Sequence, residues 1–179
     1  MIERAERGRV LLAIAREAIA RGPGANAAWS EEWLRERAAT FVTLRAGGEL
    51  RGCIGTVDAH RALGEDVAHN AHAAAHRDPR FPPVQPEERD GLQVEVSLLS
   101  PRTGLTAASE ADALAALRPG TDGIVLEYRD QRATFLPQVW ENLPDPVDFL
   151  GELRRKANLP RSFWDAEVRL WRYTVEKFT

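Results

Sequence analysis

The chain has 179 residues, 44% of them hydrophobic and 28% charged, an ordinary globular composition that excludes a disordered or fibrous protein and can build one core without disulfide staples. No run approaches the ~18–20 apolar residues of a bilayer span, and the single cysteine rules out an intramolecular disulfide, as in a reducing compartment. The net charge of −3, with 22 arginines and only two lysines scattered among 27 acids, argues against a nucleic-acid-binding surface, and a charged N-terminus with no signal-peptide apolar region points to a soluble, cytoplasmic protein.

Residues 3–20 read as an amphipathic helix, with Leu11, Ile14, Ala15 and Ala18 at helical spacing; Gly22-Pro23-Gly24 ends it. In the connection 25–39, Ser30 is a candidate N-cap for a short helix through Trp33 and Leu34. Two extended runs, 40–45 and 49–57, flank Gly47-Gly48 and predict a β-hairpin. Residues 63–76 are the next helix, stopped by Asp78-Pro79 because the residue before proline avoids the α region. Phe81-Pro82-Pro83-Val84 is a stiff connector, and 92–99 is a strand. Ser109 or Thr106 caps a helix near 111–117. Strands at 123–128 and 132–136 flank an Asp130-Gln131 turn. Asp145-Pro146 starts a helix that runs to about 157, and 167–178 alternates as one long final strand. Two hairpins and few βαβ units predict an α+β fold with a largely antiparallel sheet flanked by helices.

The segment Leu50-Arg51-Gly52-Cys53-Ile54-Gly55-Thr56 stands out. Glycine inside a strand marks a bulge or a close backbone approach, and here two glycines bracket the only thiol. In an extended strand Arg51 and Cys53 share a face, roughly 6–7 Å apart, and a nearby guanidinium favours the nucleophilic thiolate. The alternative is a small, buried strand residue, as free cysteine commonly is.

This segment resembles the signature of the AMMECR domain family, whose prokaryotic members are called AmmeMemoRadiSam system protein A. Asp78-Pro79-Arg80-Phe81-Pro82-Pro83 resembles the family's second motif, and the strand 92–100 its valine- and serine-bearing strand. Gly123-Ile124 and Thr134-Phe135-Leu136-Pro137-Gln138-Val139-Trp140 resemble its later blocks, and Lys156-Ala157 and Trp171-Arg172-Tyr173 lie where it carries similar groups. The resemblance covers nearly the whole chain. It implies a single domain, 1–179, with a larger and a smaller lobe and the signature strand near a cleft between them. It also implies a shared pathway with a Memo-like protein, akin to extradiol dioxygenases, and a radical SAM enzyme. It brings no established reaction and no cofactor.

The motif at Asp78 has two readings. In one, Arg80 is an anion-binding fork on a proline-stiffened loop; in the other, Asp78 and Arg80 pair locally and Phe81 plugs the core. His69, His72 and His76 recur on one helix, but a helical wheel puts Leu63, Val67, Ala71, Ala74 and Ala75 on one arc and the histidines with Glu65 on the other, a solvated face and not a metal site. No histidine can be placed beside Cys53 from sequence. Glu95 is a strand carboxylate or a general base. No glycine-rich phosphate loop is present, and the irregular spacing of Trp29, Trp33, Trp140, Trp164 and Trp171 fits core contacts.

Two functional readings follow. In the first, a cleft around the signature strand binds a small molecule or peptide through Arg51, Gly52, Gly55, Thr56, Asp78 and Arg80, with Cys53 as thiol nucleophile or acceptor and no metal or cofactor. In the second, the chain is a non-catalytic adaptor that docks the Memo-like or radical SAM partner. A nucleic-acid-associated regulatory role is a third and weaker reading.

Overall fold

The structure, a computed structural model, describes residues 3–24 and 31–179. Ser30 and Trp29 lie outside them. In chain order the elements are α1 (Arg4–Arg21), β1 (Arg37–Ala46), β2 (Glu49–Gly55), β3 (Arg61–Ala62), α2 (Leu63–His76), β4 (Leu92–Leu99), β5 (Thr103–Leu105), α3 (Glu110–Ala116), β6 (Gly123–Tyr128), β7 (Gln131–Phe135), α4 (Pro146–Lys156), β8 (Arg169–Tyr173) and β9 (Val175–Phe178). Short 3₁₀ turns occupy Glu32–Arg35, Pro86–Gly91 and Pro137–Glu141. The fold is α+β, with antiparallel sheets flanked by helices, as the element order predicted. Among the described residues no helix is long and apolar enough to cross a membrane.

The chain divides into two compact units. One comprises Met1–Leu99 with Glu176–Thr179, the other Ser100–Val175. In the first, the sheet order is β2-β1-β4-β9, with β3 also pairing to the start of β1. Residues alternate along β1: Val42 and Leu44 are buried against the helices, while Phe41 and Thr43 are half-buried on the other face. The two residues of the β1–β2 turn, Gly47 and Gly48, have φ of 58° and 86°, as a two-residue hairpin matched to strand twist requires. Leu63, Val67, Ala71 and Ala74 of α2 and Leu11, Ile14, Ala15 and Ala18 of α1 close this core.

In the second unit the sheet order is β5-β8-β6-β7. Its core centres on Phe149, stacked on Trp140 with centroids 3.7 Å apart. Ser109, not Thr106, caps α3, accepting from the Asp112 amide at 3.2 Å. Asp145 caps α4 through the Val147 amide at 2.7 Å.

Three expectations are corrected. The β6–β7 turn is Arg129-Asp130 and not Asp130-Gln131: Arg129 takes the left-handed φ of 54°, and this register sets Glu127 opposite both Arg132 and Arg169. The final strand is two strands in two different sheets. Thr174 separates them because its backbone pairs with Ser100, whose amide donates to the Thr174 carbonyl and whose hydroxyl accepts from the Thr174 amide, each at 2.9 Å. The histidine face of α2 is half-buried and not solvated, because α1 packs along it. His76 Nε2 donates to the Ile19 carbonyl at 3.0 Å, His72 bonds the Ala18 carbonyl, and the two rings are 4.8 Å apart. Both carbonyls belong to the last turn of α1, where helix carbonyls run short of intrahelical donors; that of Ala18 also accepts from the Gly22 amide at 2.9 Å.

Burial lowers the affinity of His69 and His72 for a proton, with Arg61 adding to the effect at His69 and His76 at His72. The unfolded chain then binds the proton more readily than the folded one. Their contribution is therefore complete above the ordinary imidazole pKa of ~6.5 and drains as pH falls toward the lowered values. The urea midpoint is expected to fall between pH 7 and pH 5, and the slope of midpoint against pH to be shallower in His72→Gln.

Candidate functional site

The signature strand β2 is an edge strand, so alternate backbone N–H and C=O groups lack a strand partner. At Cys53 both are met by side chains of one tripeptide. The Cys53 amide donates to Asp78 Oδ2 at 2.9 Å, and Arg80 Nη2 donates to the Cys53 carbonyl at 3.3 Å. Arg80 in turn forks onto Asp78, Nε to Oδ1 at 3.0 Å and Nη2 to Oδ2 at 2.8 Å, and its own amide donates to Oδ1 at 3.1 Å. Asp78 is only 4% exposed. The Arg80 fork, with the Cys53 and Arg80 amides behind it, holds the Asp78 carboxyl well below the usual carboxylate range, against the opposing effect of burial. Arg80 is also the guanidinium that couples electrostatically to Cys53.

Arg51 does something other than expected. Between Leu44 and Arg45 of β1 the register slips, so that Gly52 pairs with Leu44 and Leu50 with Arg45. Arg51 is left as the extra residue of a bulge, and bulges re-aim side chains. Its side chain is 14% exposed and its guanidinium forks onto Glu88, Nε to Oε1 at 3.0 Å and Nη2 to Oε2 at 3.1 Å, while Nη1 donates to the Pro82 carbonyl at 2.9 Å. Those Arg51 bonds, and the Gln85 amide at 2.7 Å, lower the Glu88 carboxyl below its ordinary range. Arg51 thus ties the connector to the strand and is committed away from the thiol.

The glycines also have packing duties. A Cβ at Gly52 would lie 2.1 Å from the Ala74 carbonyl oxygen of α2, and one at Gly55 would lie 2.1 Å from the Phe41 ring. The space beside each is filled by the protein itself, so neither opens a path for a ligand. Phe81 is half-buried under the Arg80 guanidinium, 5.5 Å from its centroid; the buried residue of the connector is Val84.

Thr56 ends the signature on a second buried carboxylate. Its hydroxyl lies 2.7 and 2.9 Å from the two oxygens of Asp66, which is fully buried. Asp66 also accepts from the Thr40 amide at 2.9 Å, the Thr40 hydroxyl at 2.8 Å, Arg61 Nη1 at 2.8 Å and Asn70 Nδ2 at 3.0 Å. Sequence reasoning passed over Asp66 and Asn70. The signal was there: on the wheel, both fall on the same arc as Leu63 and Ala74.

What remains open is the thiol. Cys53 is half-buried, and its Sγ shares a hydrogen bond with Thr43 Oγ1 at 3.4 Å. The register sets Cys53, Thr43 and Glu95 in one row across β2, β1 and β4. Glu95 accepts from the Ser97 hydroxyl at 3.4 Å and lies 3.6 Å from Lys177 Nζ. His60, exposed beyond the strand, hydrogen-bonds through its amide to Asp58. Among the described residues no group of three or more His, Cys, Asp or Glu is placed to hold a metal ion. The partners of the signature side chains all belong to the first unit.

A family model described as AMMECR1 matches residues 12–178. A protein of Methanothermobacter thermautotrophicus is 41% identical over 150 residues, covering 80% of this chain and 76% of that protein. Protein MJ0810 of Methanocaldococcus jannaschii is 37% identical over 155 residues, covering 82% and 75%. The crystal structure of the uncharacterized protein PH0010 from Pyrococcus horikoshii superposes with a TM-score of 0.83 at 32% identity, covering 97% of this chain and 91% of that one.

Asp78→Asn removes the charge from the clamp and is expected to lower unfolding free energy by roughly 2 kcal/mol, the range for hydrogen bonds to charged groups. Because the Asp78 pKa is depressed, its contribution is present above the ordinary carboxylate pKa and is lost only as pH falls through the lowered value; urea denaturation at pH 7 therefore reads it in full. Gly52→Ala drives a Cβ into helix backbone and is expected to cost about 1–3 kcal/mol. Gly55→Ala drives a Cβ into the root of the Phe41 ring, 2.1 Å from Cγ, and is expected to cost a similar amount, about 1–3 kcal/mol, in the same measurement.

Proposed function

This chain belongs to the AMMECR1 family, and from that membership together with the geometry of β2 we propose that the sheet face bearing Cys53 binds a small molecule or a peptide segment. Cys53 is its reactive group, a thiol nucleophile or acceptor. The observation that carries this reading is the fixing of the Cys53 main chain. A buried carboxylate and a guanidinium hold its amide and carbonyl from the strand edge, while the side chain, on a half-buried face, hydrogen-bonds the Thr43 hydroxyl. A side chain on so constrained a backbone presents its sulfur with little positional freedom, which is what oriented attack needs. Arg80, with its side chain 55% exposed, is the group that reads an anionic portion of the ligand, and Thr43 orients the thiol. In this reading the chain works alongside the Memo-like and radical SAM proteins.

A second reading has its own support. Arg51, Asp78, Thr56 and both glycines are fully committed inside the protein, so the signature also suits a rigid platform that docks those partners without chemistry.

Because Cys53 is the only cysteine, alkylation by iodoacetamide gives one unambiguous signal. The native chain is expected to react within about tenfold of the urea-unfolded chain, and Thr43→Val to change the native rate while leaving the unfolded rate unaltered. A thiol that reacts only on unfolding removes the ligand-site reading. Cys53→Ser is expected to abolish turnover in a reconstituted mixture with the Memo-like and radical SAM proteins while co-purification persists; full turnover by that variant assigns the protein to the adaptor reading.

A further inference from the structure

The connector between α2 and β4 carries a feature that the thiol site does not use. Its sequence is Phe81-Pro82-Pro83-Val84-Gln85-Pro86. Proline rings hold φ near −65°, and a residue that precedes proline is driven to the extended or polyproline region. Gln85, at φ −83° and ψ 156°, sits in that region. A polyproline II helix has three residues per turn, so positions three apart share a ridge. Phe81 and Val84 form one ridge, half-buried and buried. Pro82 with Gln85, and Pro83 with Pro86, form the other two, and all four are exposed. One ridge is rooted in the protein and two face solvent.

The segment is also held at every step. The Val84 amide donates to the Ala75 carbonyl at 2.8 Å. Arg51 donates to the Pro82 carbonyl at 2.9 Å and Gln85 Nε2 to the Pro83 carbonyl at 2.9 Å. Glu88 accepts from the Gln85 amide at 2.7 Å. A proline segment fixed in this way has already lost the conformational freedom that binding otherwise removes.

We propose that Pro82–Pro86 is a preformed polyproline II docking ridge, and that its occupant is a partner protein with an aromatic-lined groove of the kind that receives Pro-x-x-Pro segments. Pro83 and Pro86 have the Pro-x-x-Pro spacing, which sets the two rings roughly 9 Å apart along the helix, the separation of two successive aromatic slots. The intervening side chain that such a groove leaves unread is Val84, and Val84 is the one that points into the protein. At the N-terminal end of the ridge the exposed part of Arg80 offers a cation to a groove with a carboxylate at that end, which fixes the direction of docking. This inference stands whichever reading of Cys53 holds, since the ridge itself, Pro82–Pro86, includes none of that site's residues; Arg80, which only sets the docking direction, is shared.

The test titrates the full-length, isotope-labelled chain with three isolated probe domains that bind proline segments, an SH3, a WW and an EVH1 domain. At least one is expected to bind with Kd below about 1 mM, with chemical-shift changes centred on the Val84 and Gln85 amides, and to be displaced by a free proline-rich decapeptide. Pro83→Ala/Pro86→Ala is expected to weaken that binding at least about tenfold with the native amide spectrum retained outside residues 80–90. Binding by none of the three at millimolar concentration, shift changes centred elsewhere, or affinity unaltered in the double variant overturns the proposal. The shift mapping needs only the wild-type chain, so the outcome is decided even if the variant fails to fold.

Discussion

The constraint on which the signature region depends is the closing of an open strand edge by an ion pair between the buried Asp78 and the exposed Arg80. β2 ends its sheet, and an edge strand must have its unpaired groups satisfied or shielded. Here a carboxylate takes the Cys53 amide, a guanidinium takes the Cys53 carbonyl, and the two side chains hold each other. Pro79 stands between them, its ring fixing one φ of the tripeptide whose two side chains turn back to the same residue. The pair thus mimics the two hydrogen bonds of a missing neighbour strand. It does so without offering a template to another chain.

Once that edge is closed, the other positions of the signature follow. Arg51, turned out of the row by the bulge, holds the connector through Pro82 and Glu88. Gly52 has no side chain because α2 must press its backbone against the strand there. Ile54 packs on the core. Gly55 gives room to the Phe41 ring, and Thr56 reaches the Asp66 network that joins β1 to α2. Leaving Asp66 buried without those donors would expose the full desolvation cost of a carboxylate, so Thr40, Thr56, Arg61 and Asn70 belong to one assembly. The Cys53 side chain, hydrogen-bonded to the Thr43 hydroxyl, takes no part in this framework.

Much of the framework was legible in the sequence. The Gly47-Gly48 turn, the bounds of α2 and β4, and the caps at Ser109 and Asp145 all rest on local chemistry, and local chemistry decided them. What escaped was decided by partners distant along the chain. Strand alternation put Arg51 beside Cys53, but a slip in register against β1 turned it toward Glu88, 37 residues on. The wheel separated apolar from polar faces of α2, yet a second helix covered the polar one. The alternation from 167 to 178 concealed a change of sheet that hinges on Ser100, 74 residues before Thr174. Asp78 and Arg80 do pair locally, as one of the two readings of their motif expected, but that the pair completes another segment's backbone has no trace in its own sequence.

The edge clamp has a consequence for local stability. An amide on an open edge ordinarily exchanges its hydrogen with water at the rate of an exposed loop. The Cys53 amide is held by a carboxylate that is itself buried and ion-paired, so it exchanges only when Asp78 withdraws. Withdrawal also loosens Arg80 from the Cys53 carbonyl, and the same stretch of connector is moored to the strand through Arg51. Strand edge and connector therefore open as one cooperative segment, and the protection of a single amide reports the free energy of that opening. A molecule that settles on the connector and favours its closed form would slow exchange at Cys53 without touching it, giving the strand a means of sensing what is bound several residues away.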